Sequence, residues 1–480
     1  MRQGPKLDLK PLAPLMIFSR ISSWMLLPLA LALLSLPAYA IPSTRPKLRD
    51  REVRAGLDFA HYLTRNSETT ADTGTGSAAI TVGARGVGGS KNFQYGIETE
   101  ALYGLRHANY RYLDVGEIYA GYEPKDAPQR GFVYAGRKRF SWSALDSAWS
   151  LGLYQPRFRW DYLNERENGL MGLFGGFNND LVQAHAYWSP IFIPEQGAPF
   201  DINNGSCQSS SPWFSCPSST IQLFNQPTTV AFRLDVPPVR DLISHWGAGG
   251  SVRVGRDKGA FGRASYAHKP MNQFLLSFEG RLDVANSAVP AIIRPRVLYH
   301  DLFALDAGYN EERHGATASV IHEIPTRDVT PSNWNTQETT KATLFGLNGR
   351  VNPFEPAKLT RLELGWLHRN GGVAPDQGPF VNPGANYFEP RYSFQNAFSA
   401  AVVTPFYDAW ARRFLFSTKF IVDTANTGNI LVGDVYYSPA SAWIFNAGLD
   451  LLGSNSADPV DFIARYQRND RIRGAVTYVF

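Results

Sequence analysis

The sequence predicts an all-β fold, a closed antiparallel transmembrane β-barrel of about 18–20 strands with short periplasmic turns and long extracellular loops. Three observations lead there. Apolar and polar residues alternate with a period of two in segment after segment of the 480 residues, with no domain-sized break. After residue 40, no apolar run is long enough for a membrane-spanning helix. The chain finishes in "RIRGAVTYVF", where Ile472, Gly474, Val476, Tyr478 and Phe480 fall on one side and Arg471, Arg473, Ala475, Thr477 and Val479 on the other.

The front end suggests export. "WMLLPLALALLSLPAYA" is an apolar run closed by the small-x-small triplet Ala38-Tyr39-Ala40, and it reads as a signal peptide over residues 1–40 cut after Ala40, with Met16 as the expected start. A spanning helix is the rival reading, but the run carries two prolines and is short of the roughly 20 residues a bilayer requires. Removing residues 1–40 leaves 43 basic against 41 acidic residues, so the formal charge falls from +5 to +2 and no nucleic-acid partner is implied. Residues 41–51 read as a short periplasmic segment and 52–480 as the barrel. Aromatics at 13% with only 5 Met suit amphipathic strands better than helical packing. The two cysteines, Cys207 and Cys216, lie in "NNGSCQSSSPWFSCPSS"; in an oxidising compartment they are expected to form a disulfide, and no His or Asp cluster beside them suggests a metal site.

The clearest alternating strand is "FLLSFEGRLDV", residues 274–284. Others are 53–64, 93–105, 247–256, 359–369 and 414–422, and the set Ile293 to Tyr309 makes one long alternating face. In all, roughly twenty segments of about ten residues are expected, the length of a tilted spanning strand. They begin near residues 52, 78, 93, 111, 131, 170, 181, 229, 246, 261, 273, 292, 315, 342, 358, 391, 412, 428, 443 and 472. If the last strand runs inward, every second connection must be short. The expected inner turns are "YSPASAW", "TPFYDAWAR", "VNPFEPAK", "NEERH", "HKPMN", "PPVRDLISH", "GFNND", "EPKDAPQ" and "VGGSKN", while the long connections 141–168, 190–228, 325–340, 370–390 and 453–470 all fall outside. In lipid every backbone group needs a partner, so the last strand should pair with the first.

These residues resemble the large bacterial outer-membrane porins. The run with Val476, Tyr478 and Phe480 is similar to the tail read by the barrel-assembly machinery in that class. "YYSPASAWIFNAGLDLLGSNS" with "ARYQRNDRIRGAVTYVF" resembles the closing hairpin of porin-like channels, and "EIYAGY" with "GFVYAGRKRFSW" resembles strands of anion-selective and polysaccharide-export barrels. The resemblance implies an outer-membrane location, contact with its lipids and lipopolysaccharide, assembly by that machinery, and no cofactor. It leaves a homo-oligomer open and does not separate uptake from export.

The polar side of the strands supplies the lumen candidates: Glu98, Glu100, Arg137, Arg253, Glu279, Arg281, Asp283, Arg361, Glu363, Arg369, Arg413, Lys419 and Arg473. Such charges set selectivity where they crowd a narrow section, or they simply pair across neighbouring strands. The sharpest candidate is 136–168, which concentrates Arg137, Lys138, Arg139, Arg157 and Arg159 with Trp142, Trp149 and Trp160, plus Asp146 and Asp161. Two placements are open: the stretch folds into the lumen and narrows it, its Arg groups attracting anions and its Trp faces stacking sugars, or it packs on the outer rim. Tyr119, Tyr122, Tyr187, Trp188, Trp366, Tyr436, Tyr437 and Trp443 are expected in interfacial girdles. No HExxH, GxSxG or CxxC pattern accompanies the nine scattered His, so no enzyme is expected. The expected function is passive diffusion of small hydrophilic solutes, anionic or sugar-like. The alternatives are an exporter barrel and a non-conducting adhesin or receptor.

Overall fold

The computed structural model describes residues 51–480 except 65–75, 106–109, 125–129, 215, 217–218, 224–225, 281–287, 327–334, 337–338, 355–359, 373–390, 407–413, 441 and 457–460. Eighteen strands form one antiparallel ring. They are β1 Arg51–Tyr62, β2 Gly76–Gly89, β3 Phe93–Gly104, β4 Arg111–Tyr122, β5 Arg130–Lys138, β6 Leu170–Asn178, β7 Val182–Ser189, β8 Gly247–Val254 and β9 Gly259–Pro270. The ring continues with β10 Tyr299–Asn310, β11 His314–Pro325, β12 Ala342–Val351, β13 Arg361–Gly371, β14 Asn396–Phe406, β15 Phe414–Asp423, β16 Gly428–Ala440, β17 Trp443–Ser454 and β18 Arg471–Val479. The ring closes as the strand chemistry requires. β18 pairs with β1 over nine residues, Leu57 opposite Val476, and the Phe480 N–H donates to Val53 O at 2.8 Å.

Alternation sets the two faces. Leu57, Val82, Leu113, Val133, Leu173, Phe303, Leu347, Leu364 and Phe398 stand exposed on the outside, Leu113 and Leu364 at 64% and 65%. A soluble protein does not display such a belt; a bilayer covers it. Tyr122, Trp188 and Trp443 also stand on the exposed face, whereas Tyr119 and Tyr187 are buried inside the lumen, against the girdle expectation. Both lie one register step away from the outward set, and a step of one residue changes the face.

Two expected strands are not in the ring. The segments beginning near 229 and 273 are strands Gln226–Leu234 and Leu275–Gly280, and the long face from Ile293 to Tyr309 divides into strand Ala288–Arg296 and β10. The three extra strands join Thr220–Leu223 and Asn335–Thr336 in a five-stranded sheet built by the outer loops, packed around Val230, Phe232, Val289, Ala291 and Ile293. A period of two reports a two-faced sheet and not which medium lies beyond it, so this outer sheet imitates barrel strands. Each extra strand reverses the direction assigned to the next. "HKPMN" and "PPVRDLISH" therefore belong to outer connections, and the inner turn between β8 and β9 is 255–258. The two errors cancel, so the sides assigned from β10 onward hold. The expected signal peptide, almost all of the 41–51 segment, Arg281, Asp283 and Arg413 lie outside the described residues.

Candidate functional site

The connection 139–169 between β5 and β6 does not stay outside. It crosses the lumen to the opposite wall, and its local sequence explains how it holds shape. Helix α1, Ala144–Trp149, starts at Ser143, whose hydroxyl accepts the Leu145 N–H at 3.2 Å, and it ends at Ser150 in the left-handed region. The Asp146 carboxylate accepts the N–H groups of Leu153 (3.1 Å) and Tyr154 (3.0 Å), which turns the chain back on itself.

The far wall receives the loop through matched groups. Asp306 of β10 accepts from the Ala144 N–H at 2.9 Å and the Ser143 hydroxyl at 3.3 Å, a carboxylate at the start of α1. The Ser265 hydroxyl of β9 donates to Trp142 O at 2.5 Å, and Asn272 donates to Gly152 O at 2.7 Å. Leu145 fills the space left by Gly346 of β12, and Trp149 lies over Gly365 of β13. On the return, Arg471 of β18 binds Asp161 at 2.7 Å while also holding Asp450 at 2.6 Å. Arg166 then pairs with Glu100 and, at 3.4 Å, with Asp114, and Asn168 donates to Asp114 at 2.8 Å.

The lumen wall is divided by height. In the outer half of β10–β17 the inward residues Leu302, Ile321, Leu344, Leu367, Ala397, Ile421, Ile430 and Leu452 are buried in one apolar core with Leu145, Trp149, Leu153 and Tyr154 of the loop. Helix α2, Val239–Ile243, lies in the outer connection 190–246 and contributes no buried residue. Helix α3, Phe462–Tyr466, in the connection to β18, adds Phe462 and Ile463 to that core. Below that core, and from the outer half of the strands to their inner end along an arc from β13 through the β18–β1 seam to β4, the wall carries charge instead. Arg361 pairs with Glu363, Arg473 with Asp434 (3.1 Å) and Asp450 (2.7 Å), Arg54 with Glu100, and Arg139 with Glu98 and, at 3.0 Å, Glu117. Arg54 reaches Glu100 by lying across Gly83, where a Cβ would sit 2.7 Å from its Nε.

The sequence candidates are placed as follows. Arg139, Arg361, Glu363 and Lys419 stand on the lumen side with their side chains incompletely covered. Arg157 and Arg159 are buried at 5% and 7%, where they brace the loop: Arg157 donates to Asp146 O (3.4 Å), and Arg159 binds Leu151 O (3.1 Å), Glu165 (3.3 Å) and Glu195 (3.4 Å). Arg137 is equally buried and donates to Gly169 O at 3.0 Å. Arg253 folds back on the carbonyls of the inner turn, Gly255 at 3.1 Å and Arg256 at 3.0 Å. Glu279 lies in the outer sheet, away from the ring, and Arg281 is outside the described residues. Trp142 and Trp149 are core side chains at 2% and 5% and offer no face to a solute; Trp160 keeps part of its surface, packed on Tyr112 at 5.0 Å. Cys207 and Cys216 are joined, with Cα atoms 5.5 Å apart. Val476 and Tyr478 lie in β18, Tyr478 ring-packed on Trp443 and Phe480. Sequence reading missed Arg54, Arg85, Asp114 and Arg166; for Arg54 and Arg85 the alternation of β1 and β2 carried the signal.

Burial alone would raise the Asp161 carboxyl, but the neighbouring Arg471 guanidinium outweighs it and holds the group below its ordinary value. A carboxyl lowered on folding stabilises the docked loop above its free value of about 3.9. That stabilisation is lost as pH falls through the lowered value. Loop docking should persist at about pH 5 and loosen only below about pH 4, seen as a rise in conductance confined to strong acid.

No family model matches the chain and no curated protein matches it. Solved structures with a similar barrel include OccAB3 of Acinetobacter baumannii, at 10% identity and TM-score 0.44, covering 90% of this chain and 100% of that one. Pseudomonas aeruginosa OpdQ aligns at 9% identity and TM-score 0.41, covering 90% and 99%, and Salmonella typhi OmpF in complex with daunomycin at 12% and 0.37, covering 90% and 97%. Similarity this low leaves function to this chain's own residues. Its closed ring of eighteen antiparallel strands, with an apolar outer belt and charged side chains on part of the inner wall, gives the chain the fold of a membrane-spanning β-barrel.

Proposed function

We propose that the protein is a channel for passive diffusion of small hydrophilic solutes, in which loop 139–169 forms the constriction. The observation that carries this reading is the division of the lumen: the loop packs dry against the outer half of β10–β17, and the charged arc from β13 through the seam to β4 keeps partial exposure. Paired charges hold water in a passage without binding a solute so tightly that it cannot leave. Arg85 supports a preference for anions. Its side chain is 47% exposed and meets Glu98 only at 3.7 Å, so its charge is the least compensated of the arc's ion-paired arginines. Lys419 adds a further cation on β15.

The experiment is single-channel recording of the mature protein in planar bilayers under a salt gradient. Replacing Arg85 with Gln should move the reversal potential toward cation preference with little loss of stability, and Arg139→Gln should add to that shift while loosening the start of the loop, because Glu98 and Glu117 lose their shared partner. Replacing Arg157 and Arg159 should instead destabilise the folded loop and raise conductance, because those groups brace its interior. A closed bilayer with folded, inserted protein would discard the channel and favour a receptor or adhesin, for which the outer five-stranded sheet would be the contact surface.

A further inference from the structure

Three outer connections converge on one side chain that no barrel strand supplies. Trp213 belongs to the outer connection 190–246, inside the segment closed by the Cys207–Cys216 bridge, yet it is only 1% exposed. Its ring lies 5.4 Å from Tyr466 in α3 and 6.0 Å from Tyr162 in the constriction loop, and the Arg471 guanidinium sits 5.2 Å from its centroid. The backbone around it is also held: the Tyr466 hydroxyl donates to Trp213 O at 3.0 Å, and Asn469 donates to Pro212 O at 2.8 Å.

The segment is shaped to present this indole. Ser209 donates to Pro199 O at 2.6 Å, the Ser211 N–H donates to Ser209 Oγ at 3.0 Å, and the Trp213 N–H donates to Ser211 Oγ at 3.2 Å. Ser209 and Ser211 thus satisfy backbone groups inside the segment, Ser209 also ties it to Pro199, and the indole is left as the projecting group. The disulfide, at a sequence separation of 9, restricts the conformers of the segment and pre-organises that turn. The Trp213 indole N–H, like those of Trp142 and Trp149, is buried with no hydrogen-bond partner among the described residues, a cost that docking bears and a water-exposed indole would not.

We propose that the disulfide-closed segment is a gate over the outer mouth, shut while Trp213 is wedged between Tyr162, Tyr466 and Arg471 and open when the indole withdraws. The proposal rests on the channel reading. Arg471 links the gate to the constriction, since the guanidinium beneath the indole also holds Asp161 of loop 139–169. Withdrawal admits water to Arg471, and the higher local dielectric weakens that ion pair. Gate and constriction therefore loosen together. Cutting the disulfide frees the segment and favours the withdrawn state.

The test uses the full mature chain in planar bilayers. A membrane-impermeant reductant is added after insertion to the wild type, so that folding is not at issue, and Trp213→Ala is recorded in parallel after its heat-modifiable gel shift has confirmed the folded barrel. Open probability, or the frequency of the larger conductance level, should rise about ten-fold in each case, the scale expected when a two-state equilibrium loses one latch. Steady wild-type current that neither treatment changes, with thiol labelling confirming that the bridge is cut, overturns the gate alone. A silent bilayer in every form, with inserted protein, overturns the channel reading and the gate with it.

Discussion

Arg471→Met is expected to lower the thermal stability of the barrel and release the constriction loop in one step. The guanidinium is 3% exposed and serves Asp161, Asp450 and the Tyr62 hydroxyl, the last at 3.3 Å. Methionine keeps much of the side-chain volume but leaves Asp450 sharing only Arg473 and leaves Asp161 without its ion-pair partner. Removing one member of a buried ion pair costs about 3–5 kcal/mol, because the remaining charge stays desolvated. The loss should appear as a lower midpoint in the heat-modifiable gel shift and as larger, noisier single-channel steps. An unchanged midpoint together with unchanged conductance would show that the return limb of the loop is held elsewhere. The double change Arg471→Met with Asp161→Asn should recover part of the stability but not the small conductance, since the charge is relieved while the anchor stays absent.

Gly346→Phe is expected to unseat α1. A Cβ at position 346 would lie 2.2 Å from Leu145 Cδ1 and 3.2 Å from its Cγ, and Leu145 is fully buried. An alanine can be met by a rotamer change at Leu145; a benzyl group cannot, because Leu344 and Leu367 already fill the wall beside it. Overpacking of this kind costs about 1–3 kcal/mol where the neighbours can shift. The cheapest shift here is outward movement of the helix. Conductance should therefore increase in the order wild type, Gly346→Ala, Gly346→Phe, with the β-sheet circular dichroism signal unchanged. A Phe variant with wild-type conductance would mean that the loop rests on its polar contacts to Asp306, Ser265 and Asn272 and not on the apolar seat.

Both expectations concern contacts between residues far apart in sequence, and this is where sequence reading lost its reach. Alternation sets Arg471 on the same side of its strand as Arg473, yet nothing local pairs it with Asp161. The basic and aromatic content of 136–168 singles out the stretch and leaves a lumen or a rim placement open, without telling which of its arginines stay wet. Arg157 and Arg159 carry the same charge as Arg139, and only the folded loop sends two of them into its interior and leaves the third in the lumen. The tryptophans divide in the same way: Trp142 and Trp149 are core, and Trp160 keeps some exposure.

The sequence by itself determined the barrel. Period-two alternation, the compact inner turns and the demand that every backbone group in lipid be paired specify an antiparallel ring whose last strand meets its first, and those constraints act locally along each strand. Tertiary structure decided the strand count, because the outer sheet built on Gln226–Leu234, Leu275–Gly280 and Ala288–Arg296 has the same alternation as a spanning strand. It also decided what fills the lumen. The seat at Gly346, the Asp306 contact to α1 and the meeting of Tyr162, Trp213 and Arg471 depend on distance in space, which a residue pattern along one strand does not encode.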